Sequence, residues 1–221
     1  MLEIVARTLG TLNDKVVYLG GCTTALFIND PLSLDVRPTL DVDCIIDVIS
    51  LGQYYEFEEQ LKEKGFYRSI NDDVICRWHF DEIILDVMPT DETILGWGNF
   101  WYKEAIQHSV DHKIAEDLII KSVTAPYFLA TKIEAFKSRG NNDFLGSHDF
   151  EDIITVIAGC VEIADEVHTA SDNLKSHLKS VFGDLLKNDR FVQSLPGHVS
   201  DGPVTSQRVQ TVIERIKQIS M

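Results

Sequence analysis

Short apolar segments separated by turn residues fill the first half of the chain and predict a β-sheet with intervening helices. Six segments have the composition of strands: residues 15–19, 40–48, 66–70, 74–80, 83–88 and 117–123. A tight turn at Asp81 and Glu82 joins two of these strands. Helices are predicted over three segments: residues 1–13, 22–29 and 53–64. Residues 30–39 predict a loop, and an aromatic-rich stretch over residues 93–102 leads into a helix that ends near His108.

The pattern changes near residue 124, where strands stop and helices take over. Pro126 suits a helix start, Gly140 the end of that helix, and Asp149 the first turn of the next. Two more helices are predicted over residues 171–187 and 205–219. The stretch between them, 188–204, predicts a loop because it holds two prolines and two glycines. We therefore expect an α+β protein with a mixed sheet domain (1–124), a helical domain (125–221) and an active cleft between them.

Composition and charge restrict the classes of function. Of 221 residues, 25% are charged and 44% hydrophobic, as in ordinary globular domains. No apolar stretch reaches the roughly 20 residues that span a bilayer, and the N-terminus lacks a secretory pattern, so a cytoplasmic protein without a membrane segment is expected. The formal charge of −15 opposes general nucleic-acid binding. An RNA partner would need a local positive strip, whereas a protein or small-molecule partner fits the acidity at least as well.

Cysteines and histidines give no sign of a soft-metal site. The four cysteines are scattered without a Cys-x-x-Cys pair, which indicates a reduced setting with unpaired thiols. The seven histidines show no metal-ligand spacing, so zinc is not expected.

Carboxylates within the apolar strands are the strongest chemical signal. Side chains two apart in a strand point to the same face, so Asp41 and Asp43 project together, and Asp86 is spaced to join them from a neighbouring strand. Three carboxylates that meet repel one another and lose hydration unless a cation neutralises them. Such oxygen ligands suit hard divalent ions, chiefly Mg²⁺. The pattern therefore indicates metal-dependent phosphoryl transfer.

Two glycines, Gly20 and Gly21, end the first predicted strand just before a helix. Glycine lets the backbone approach a phosphate closely, and the free N–H groups of the following helix face it. Thr23 or Thr24 would add a hydroxyl to the same phosphate. Taken alone, the two glycines are explained equally well by a plain turn.

Together these motifs resemble the DNA polymerase β-type nucleotidyltransferase superfamily, in which a Gly-Gly turn precedes Asp-x-Asp on one strand and a third Asp on another. The arrangement Arg37-x-Thr39-x-Asp41-x-Asp43 is similar to that of the AbiEii/AbiGii-type nucleotidyltransferase toxins of bacterial abortive-infection and toxin–antitoxin systems. Residues 130–140 and 147–152 resemble that family's Lys-to-Arg helix and Asp-x-x-Asp helix. The resemblance covers about residues 16–158.

The resemblance implies a nucleotidyltransferase fold, with a mixed β-sheet flanked by helices, followed by a C-terminal helical bundle that closes the nucleotide cleft. It implies that Asp41 and Asp43 hold two Mg²⁺ ions, and that Asp86 holds the ion beside the acceptor hydroxyl and accepts its proton.

The same resemblance gives roles to the charged residues of the helical domain. Lys132 would contact the β- or γ-phosphate of an NTP, with Arg139 supporting it or pairing with Asp149. Asp149 and Asp152 would orient these two cations rather than touch metal. Arg37 would steady Asp41 or the triphosphate.

The leading hypothesis is a toxin-like enzyme that transfers a nucleotidyl group from an NTP to RNA (such as tRNA ends) or to a protein. A cognate antitoxin is a candidate partner whose existence the sequence does not decide. The first alternative is a small-molecule nucleotidyltransferase of the aminoglycoside-modifying type. The second is a non-catalytic nucleotide-binding or partner-binding module that kept the fold.

The aromatic residues at 97–102 are interpreted as core or an ordered lid, with base stacking as the alternative.

Overall fold

The computed structural model describes residues 1–30, 36–48, 50–200 and 202–221, and it divides into two compact units. The first, which we call the sheet unit, comprises Met1–Thr23 and Pro38–Thr124. The second, the helical unit, comprises Thr24–Arg37 and Ala125–Met221. The predicted loop over residues 30–39 falls partly outside the described residues.

Within the described residues, the sheet unit is built on a six-stranded mixed sheet. Its strands are β1 (Val16–Leu19), β2 (Asp41–Ile46), β3 (Arg77–Phe80), β4 (Ile83–Pro89), β5 (Val110–Ala115) and β6 (Leu118–Ser122). Their order across the sheet is β3-β4-β2-β1-β6-β5. Strand β2 pairs parallel to β4 and antiparallel to β1. All four residues of β1 are buried, as expected of a central strand covered on both faces.

Four α-helices lie in the described part of the sheet unit: α1 (Leu2–Leu9), α2 (Leu51–Glu63), α3 (Glu92–Leu95) and α4 (Tyr102–Gln107). Ser50 caps the start of helix α2, and its hydroxyl accepts a hydrogen bond from the Gln53 N–H. Its inner face buries Tyr54, Phe57 and Leu61, at the spacing of an amphipathic helix. The predicted helix over residues 22–29 is instead a 3₁₀ segment, Gly21–Phe27.

The helical unit holds six α-helices among its described residues. They are α5 (Ala125–Arg139), α6 (His148–Gly159), α7 (Ile163–Thr169), α8 (Asp172–Leu185), α9 (Asp189–His198) and α10 (Thr205–Ile219). Its core contains a ring cluster of Phe136, Phe144, Phe150 and Phe191, with centroids of contacting pairs 4.9–6.0 Å apart. Tilted and edge-to-face pairs of this kind stabilise a core beyond the burial of their area. The mixed sheet followed by a helical bundle confirms the α+β prediction.

In the sheet unit, one strand was missed and one predicted strand was wrong. Strand β5 was not predicted, because it is an edge strand whose three polar residues stand together, so that it shows no apolar alternation. Residues 66–70 do not form a full strand. Of these residues, only Tyr67 pairs with the neighbouring strand β3, through an isolated antiparallel bridge to His79. The preceding turn ends at Gly65, whose φ of 90° is readily adopted only by glycine.

The predicted loop over 188–204 was also wrong, since helix α9 fills its first half. The Asn188 side chain caps this helix by accepting hydrogen bonds from the N–H groups of Arg190 and Phe191. Phe191 and Leu195, one turn apart, are fully buried. Pro196 lies near the C-terminal end, where its missing N–H removes only one helical hydrogen bond. Asp201 lies outside the described residues.

No helix in the described part of the chain has both the length and the apolar character that crossing a bilayer requires.

Candidate active site

Three carboxylates meet at one end of the parallel strand pair in the sheet unit. Asp43 of β2 lies directly opposite Asp86 of β4 in the parallel register, and Asp41 lies two residues before Asp43. One oxygen from each of the three residues can be chosen so that all lie within 4.8 Å of one another. Asp86 is buried, whereas Asp41 and Asp43 are partly exposed. We call these three residues the aspartate triad.

Strand geometry explains why these side chains converge. Val42 and Cys44 alternate with the aspartates along β2 and are completely buried, so the opposite face of the strand is anchored in the core. Parallel pairing then aligns Asp43 with Asp86, because the register is fixed by the apolar residues on both strands. The meeting of three carboxylates predicted from the sequence is therefore present.

The donor set fits a hard divalent cation. Carboxylate oxygens are the ligands that Mg²⁺ prefers, and opposite ligands of one octahedral Mg²⁺ lie roughly 4 Å apart. The triad oxygens, within 4.8 Å, span a comparable distance. Without a cation, three close carboxylates would repel one another and raise the free energy of the folded protein. Asp41, Asp43 and Asp86 are therefore the residues that would hold the metal.

A basic residue that the sequence analysis did not single out contacts the triad. Arg77 lies opposite Asp86 in the antiparallel β3–β4 pair. Its Nε donates to Asp86 Oδ1 at 2.9 Å and its Nη2 to Asp86 Oδ2 at 2.7 Å, a bidentate pair. The hydrogen bonds to Asp86 raise the pKa of Arg77 above its already high ordinary value, so the guanidinium stays charged.

Gly20 lies against the aspartate triad, and any other residue at this position would displace the Asp43 side chain. Its φ is 76°, in the region that L side chains rarely adopt. A Cβ at this position would lie 2.0 Å from Asp43 Oδ2 and 2.8 Å from Asp43 Cγ. The glycine is therefore required both by the turn after β1 and by the close approach of the Asp43 carboxylate.

We expect Gly20→Ala to lower the free energy of unfolding by about 1–3 kcal/mol, because the left-handed conformation becomes strained. The new methyl group should also displace Asp43 and weaken binding of Mn²⁺ to the protein. Denaturant unfolding and calorimetric titration measure the two effects. Gly183→Ala is the matched control, since a Cβ there meets nothing within 4 Å and helix α8 should gain about 0.5–1 kcal/mol. Unchanged Mn²⁺ binding in Gly20→Ala would contradict the account.

The remaining residues predicted to cradle a phosphate lie just after Gly20. Gly21 begins the 3₁₀ segment. The Thr23 hydroxyl is buried and donates to the Gly20 carbonyl at 2.8 Å, so it holds the turn together. Thr24 is also buried, and its hydroxyl has no hydrogen-bond partner.

A network of ion pairs around two buried aspartates joins helices α5 and α6 in the helical unit. Lys132 Nζ lies 3.0 Å from Asp149 Oδ1 and 2.7 Å from Asp152 Oδ2. Arg139 holds the same Asp149 through two hydrogen bonds, at 2.7 and 2.9 Å. Lys132 and Arg139 are seven residues apart and so share one face of α5, and the two aspartates are three apart on α6. We call these four residues the ion-pair network.

Arg37 extends the ion-pair network from the segment before the triad. Its Nη2 lies 3.2 and 3.3 Å from the two oxygens of Asp152, and its Nε lies 3.7 Å from Glu151 Oε2. In the described structure the partner of Arg37 is thus Asp152, which it shares with Lys132. Asp152 accordingly receives two cations and Asp149 receives two, so that the buried carboxylates are compensated.

The ion-pair network makes stability depend on acid pH. Burial alone would raise the pKa of Asp149, but hydrogen bonds from Arg139 and the charge of Lys132 outweigh burial, so the pKa lies below its ordinary value of 3.8. The pKa of Asp149 is lower in the folded protein than in the unfolded chain, where it has its ordinary value. The stabilisation by Asp149 is therefore complete above pH 3.8 and is lost as the pH falls through the folded pKa.

We therefore expect the unfolding free energy of the natural protein to fall more steeply below pH 4 than that of Asp149→Asn. Urea unfolding at several pH values between 6 and 3 measures the difference in unfolding free energy between the two proteins. The contributions of the other carboxylates are common to both proteins and cancel in this difference. Parallel curves for the two proteins would contradict the compensation of Asp149 by these cations.

The aromatic stretch near residue 100 divides into buried and exposed rings. Trp101 and Tyr102 are buried, which agrees with a core role. Phe100 is 74% exposed and packs edge-on against Trp101, with centroids 5.0 Å apart. Trp97 is 45% exposed.

No protein-family model matches the sequence, and no curated protein matches it. Solved structures do. An antigenic nucleotidyltransferase-like protein from Paracoccidioides brasiliensis matches with a TM-score of 0.51 and 16% identity, over 95% of this chain and 91% of the other. JHP933 from Helicobacter pylori matches with a TM-score of 0.50 and 13% identity, over 99% and 90%. The antibiotic-resistance factor ANT(2'')-Ia matches with a TM-score of 0.47 and 14% identity, over 84% and 94%.

At these identities the likeness concerns the fold. The protein has the nucleotidyltransferase-like fold, as the resemblance of its motifs predicted.

Proposed function

We propose that this protein is a metal-dependent nucleotidyltransferase that moves a nucleotidyl group from an NTP to an acceptor. The observation that carries the proposal is the aspartate triad, which converges from two paired strands beside a glycine with positive φ, within a nucleotidyltransferase-like fold. Fold alone does not define an activity, because one fold hosts many functions. The triad adds the site chemistry that the activity requires.

The chemistry is a displacement at the α-phosphorus. The acceptor oxygen forms a bond to this phosphorus, the bond to the bridging oxygen of the β-phosphate breaks, and pyrophosphate leaves. Bound Mg²⁺ supplies charge stabilisation for the attacking and leaving oxygens. Asp41 and Asp43 would hold two ions, and Asp86 would hold the ion beside the acceptor hydroxyl and receive the proton of that hydroxyl. The glycines Gly20 and Gly21 let the backbone lie close to the phosphates.

For the helical unit, the motif resemblance is the basis on which we propose that its cationic side chains bind the nucleotide phosphates. Lys132 would contact the β- or γ-phosphate as a point charge, and Arg139 would support it. The contacts of Asp149 and Asp152 with these cations support an orienting role for the two aspartates. Arg37, which shares Asp152 with Lys132, would serve the triphosphate rather than Asp41.

The proposed biological setting is a toxin-like enzyme of the AbiEii/AbiGii type that acts in the bacterial cytoplasm, with RNA such as tRNA or a protein as acceptor and with a cognate antitoxin. The motifs Arg37-x-Thr39-x-Asp41-x-Asp43 and Ser147-x-Asp149-x-x-Asp152 support this choice. A cationic small molecule is the second candidate acceptor, favoured by the net charge of −15, which attracts cations and repels polyanions.

Incubation of the protein with α-labelled NTPs, Mg²⁺ and a bacterial lysate tests the proposal. We expect label in the RNA or protein fraction, with Asp41→Asn as the inactive control. Label confined to the small-molecule fraction would replace the macromolecular acceptor with the second candidate. NTP binding without label transfer to any fraction would contradict an enzymatic function and favour a nucleotide-binding module.

A further inference from the structure

The contact between Arg77 and Asp86 places a permanent positive charge beside the aspartate triad. The guanidinium is bidentate on Asp86, and 26% of its side chain is exposed. Both Asp86 oxygens, Oδ1 and Oδ2, already accept a hydrogen bond from this residue. Each oxygen keeps a second lone pair, so Asp86 can bind a metal ion only in the orientation that Arg77 leaves open.

Arg77 also changes the charge that a metal ion meets. Three carboxylates carry a charge of −3, and the guanidinium reduces this to −2 within hydrogen-bond distance of one of them. Charges at such separations interact strongly in a partly buried site, where the effective dielectric constant is far below that of water. A divalent ion is thus attracted less strongly than it would be by the three carboxylates alone.

We propose that Arg77 is a positioning residue of the metal site: it fixes the orientation of Asp86 and weakens metal binding in the resting protein. This inference rests on the proposed function of the triad. A weaker resting site leaves coordination to be completed by the phosphate oxygens of an NTP, so the metal enters together with the nucleotide. Arg77 thereby couples metal occupancy to substrate binding.

A purely structural role makes the opposite prediction. The cross-strand pair of Arg77 and Asp86 also stabilises the β3–β4 hairpin, as opposite charges on neighbouring strands do. If that were its whole role, replacing Arg77 would loosen the hairpin and leave Mn²⁺ binding unchanged or weaker. If Arg77 limits the charge of the triad, its removal strengthens Mn²⁺ binding while Asp86 loses its fixed orientation. The sign of the change in Mn²⁺ affinity therefore separates the two roles.

The test is titration of the nucleotide-free protein with MnCl₂, followed by the electron paramagnetic resonance signal of free Mn²⁺. We expect Arg77→Gln to bind Mn²⁺ roughly 5- to 10-fold more tightly than the natural protein, because one positive charge is gone. Arg77→Lys keeps the charge and should bind within about twofold of the natural protein. Both variants should transfer label more slowly, because neither holds Asp86 with a bidentate fork.

The double variant Arg77→Gln/Asp86→Asn locates the effect. Compared with Asp86→Asn alone, it should bind Mn²⁺ no more than about twofold more tightly, since Asp86 is the carboxylate that Arg77 compensates. Unfolding temperatures of all variants show whether each remains folded. If Arg77→Gln does not fold, Arg77→Met removes the same charge: tighter Mn²⁺ binding than in the natural protein then supports the proposal, and unchanged or weaker binding refutes it.

Two negative outcomes have different meanings. If Asp43→Asn abolishes Mn²⁺ binding but Arg77→Gln binds no more tightly than the natural protein, the role of Arg77 is refuted and the proposed function stands. If Asp43→Asn binds Mn²⁺ as well as the natural protein does, the triad is not the metal site. The proposed function and the role of Arg77 then fail together.

Discussion

Asp43→Asn is expected to slow nucleotidyl transfer by about 10³-fold or more while the protein remains folded. Loss of metal-based stabilisation of transition-state charge costs several kcal/mol, and about 4 kcal/mol corresponds to a factor of 10³ in rate. The substitution keeps the size of the side chain and removes one of three carboxylates that lie within 4.8 Å of one another. Without metal, the variant should therefore be at least as stable as the natural protein. Transfer rates and urea unfolding measure these two effects.

The matched control is Asp47→Asn, just beyond the end of the same strand. Asp47 is exposed, and its carboxylate accepts a hydrogen bond from the Thr90 hydroxyl, which an asparagine can also accept. Activity and stability should both stay close to those of the natural protein. Unfolding of Asp43→Asn would mean that Asp43 is a structural residue, and retained activity would mean that it holds no essential metal.

The second large effect is expected for Lys132→Met, which should lower the free energy of unfolding by about 3 kcal/mol. The ammonium of Lys132 is the charge shared by Asp149 and Asp152, and the side chains of all three residues are at most 10% exposed. Removing it leaves each aspartate with one arginine in place of two cations. Because burial of an undercompensated carboxylate is unfavourable, the loss should be close to that of a broken buried ion pair. Denaturant unfolding at pH 7 measures it.

A control and a rescue accompany this prediction. Lys137→Met removes a half-exposed lysine from the same helix, where it pairs with Glu134 one turn away, and should change stability by less than about 0.5 kcal/mol. The double variant Lys132→Met/Asp152→Asn should recover part of the loss, since it removes a charge on both sides of the pair. A loss in Lys132→Met no larger than that of the control would contradict the buried network.

The aspartate triad could be predicted from the sequence because two simple rules determine it. Asp41 and Asp43 share a face because strand side chains alternate, and their apolar neighbours decide which face is buried. To predict that Asp86 joins them, it was enough to expect that its strand pairs with the strand of Asp41 and Asp43. The glycine turn likewise followed from its position between a strand and a helix, although the contact of Gly20 with Asp43 required coordinates.

Arg77 was missed although a signal for it was present. The predicted two-residue turn at Asp81 and Glu82 makes Phe80 and Ile83 partners, and antiparallel pairing then places Arg77 opposite Asp86. Counting back from the turn would therefore have found the contact. The sequence pattern alone gave no reason to single out this arginine, because it stands in a short strand among aromatic residues.

Helix α9 was missed for a different reason. Pro196 and Gly197 are typical helix breakers, and they outweighed the helical spacing of Phe191 and Leu195 in the sequence. Burial of these two side chains and the Asn188 cap stabilise the helix despite the proline. Strand β5 could not be recognised at all, since an edge strand needs no apolar face.

We propose that Asp41, Asp43 and Asp86 together hold the metal on which transfer depends. Crystals grown with MnCl₂ and a non-hydrolysable NTP, measured at the manganese absorption edge, test it most directly. We expect anomalous peaks at metal–oxygen bonding distance, about 2.1 Å, from carboxylate oxygens of all three aspartates. Nucleotide density without any manganese peak among these oxygens would contradict it.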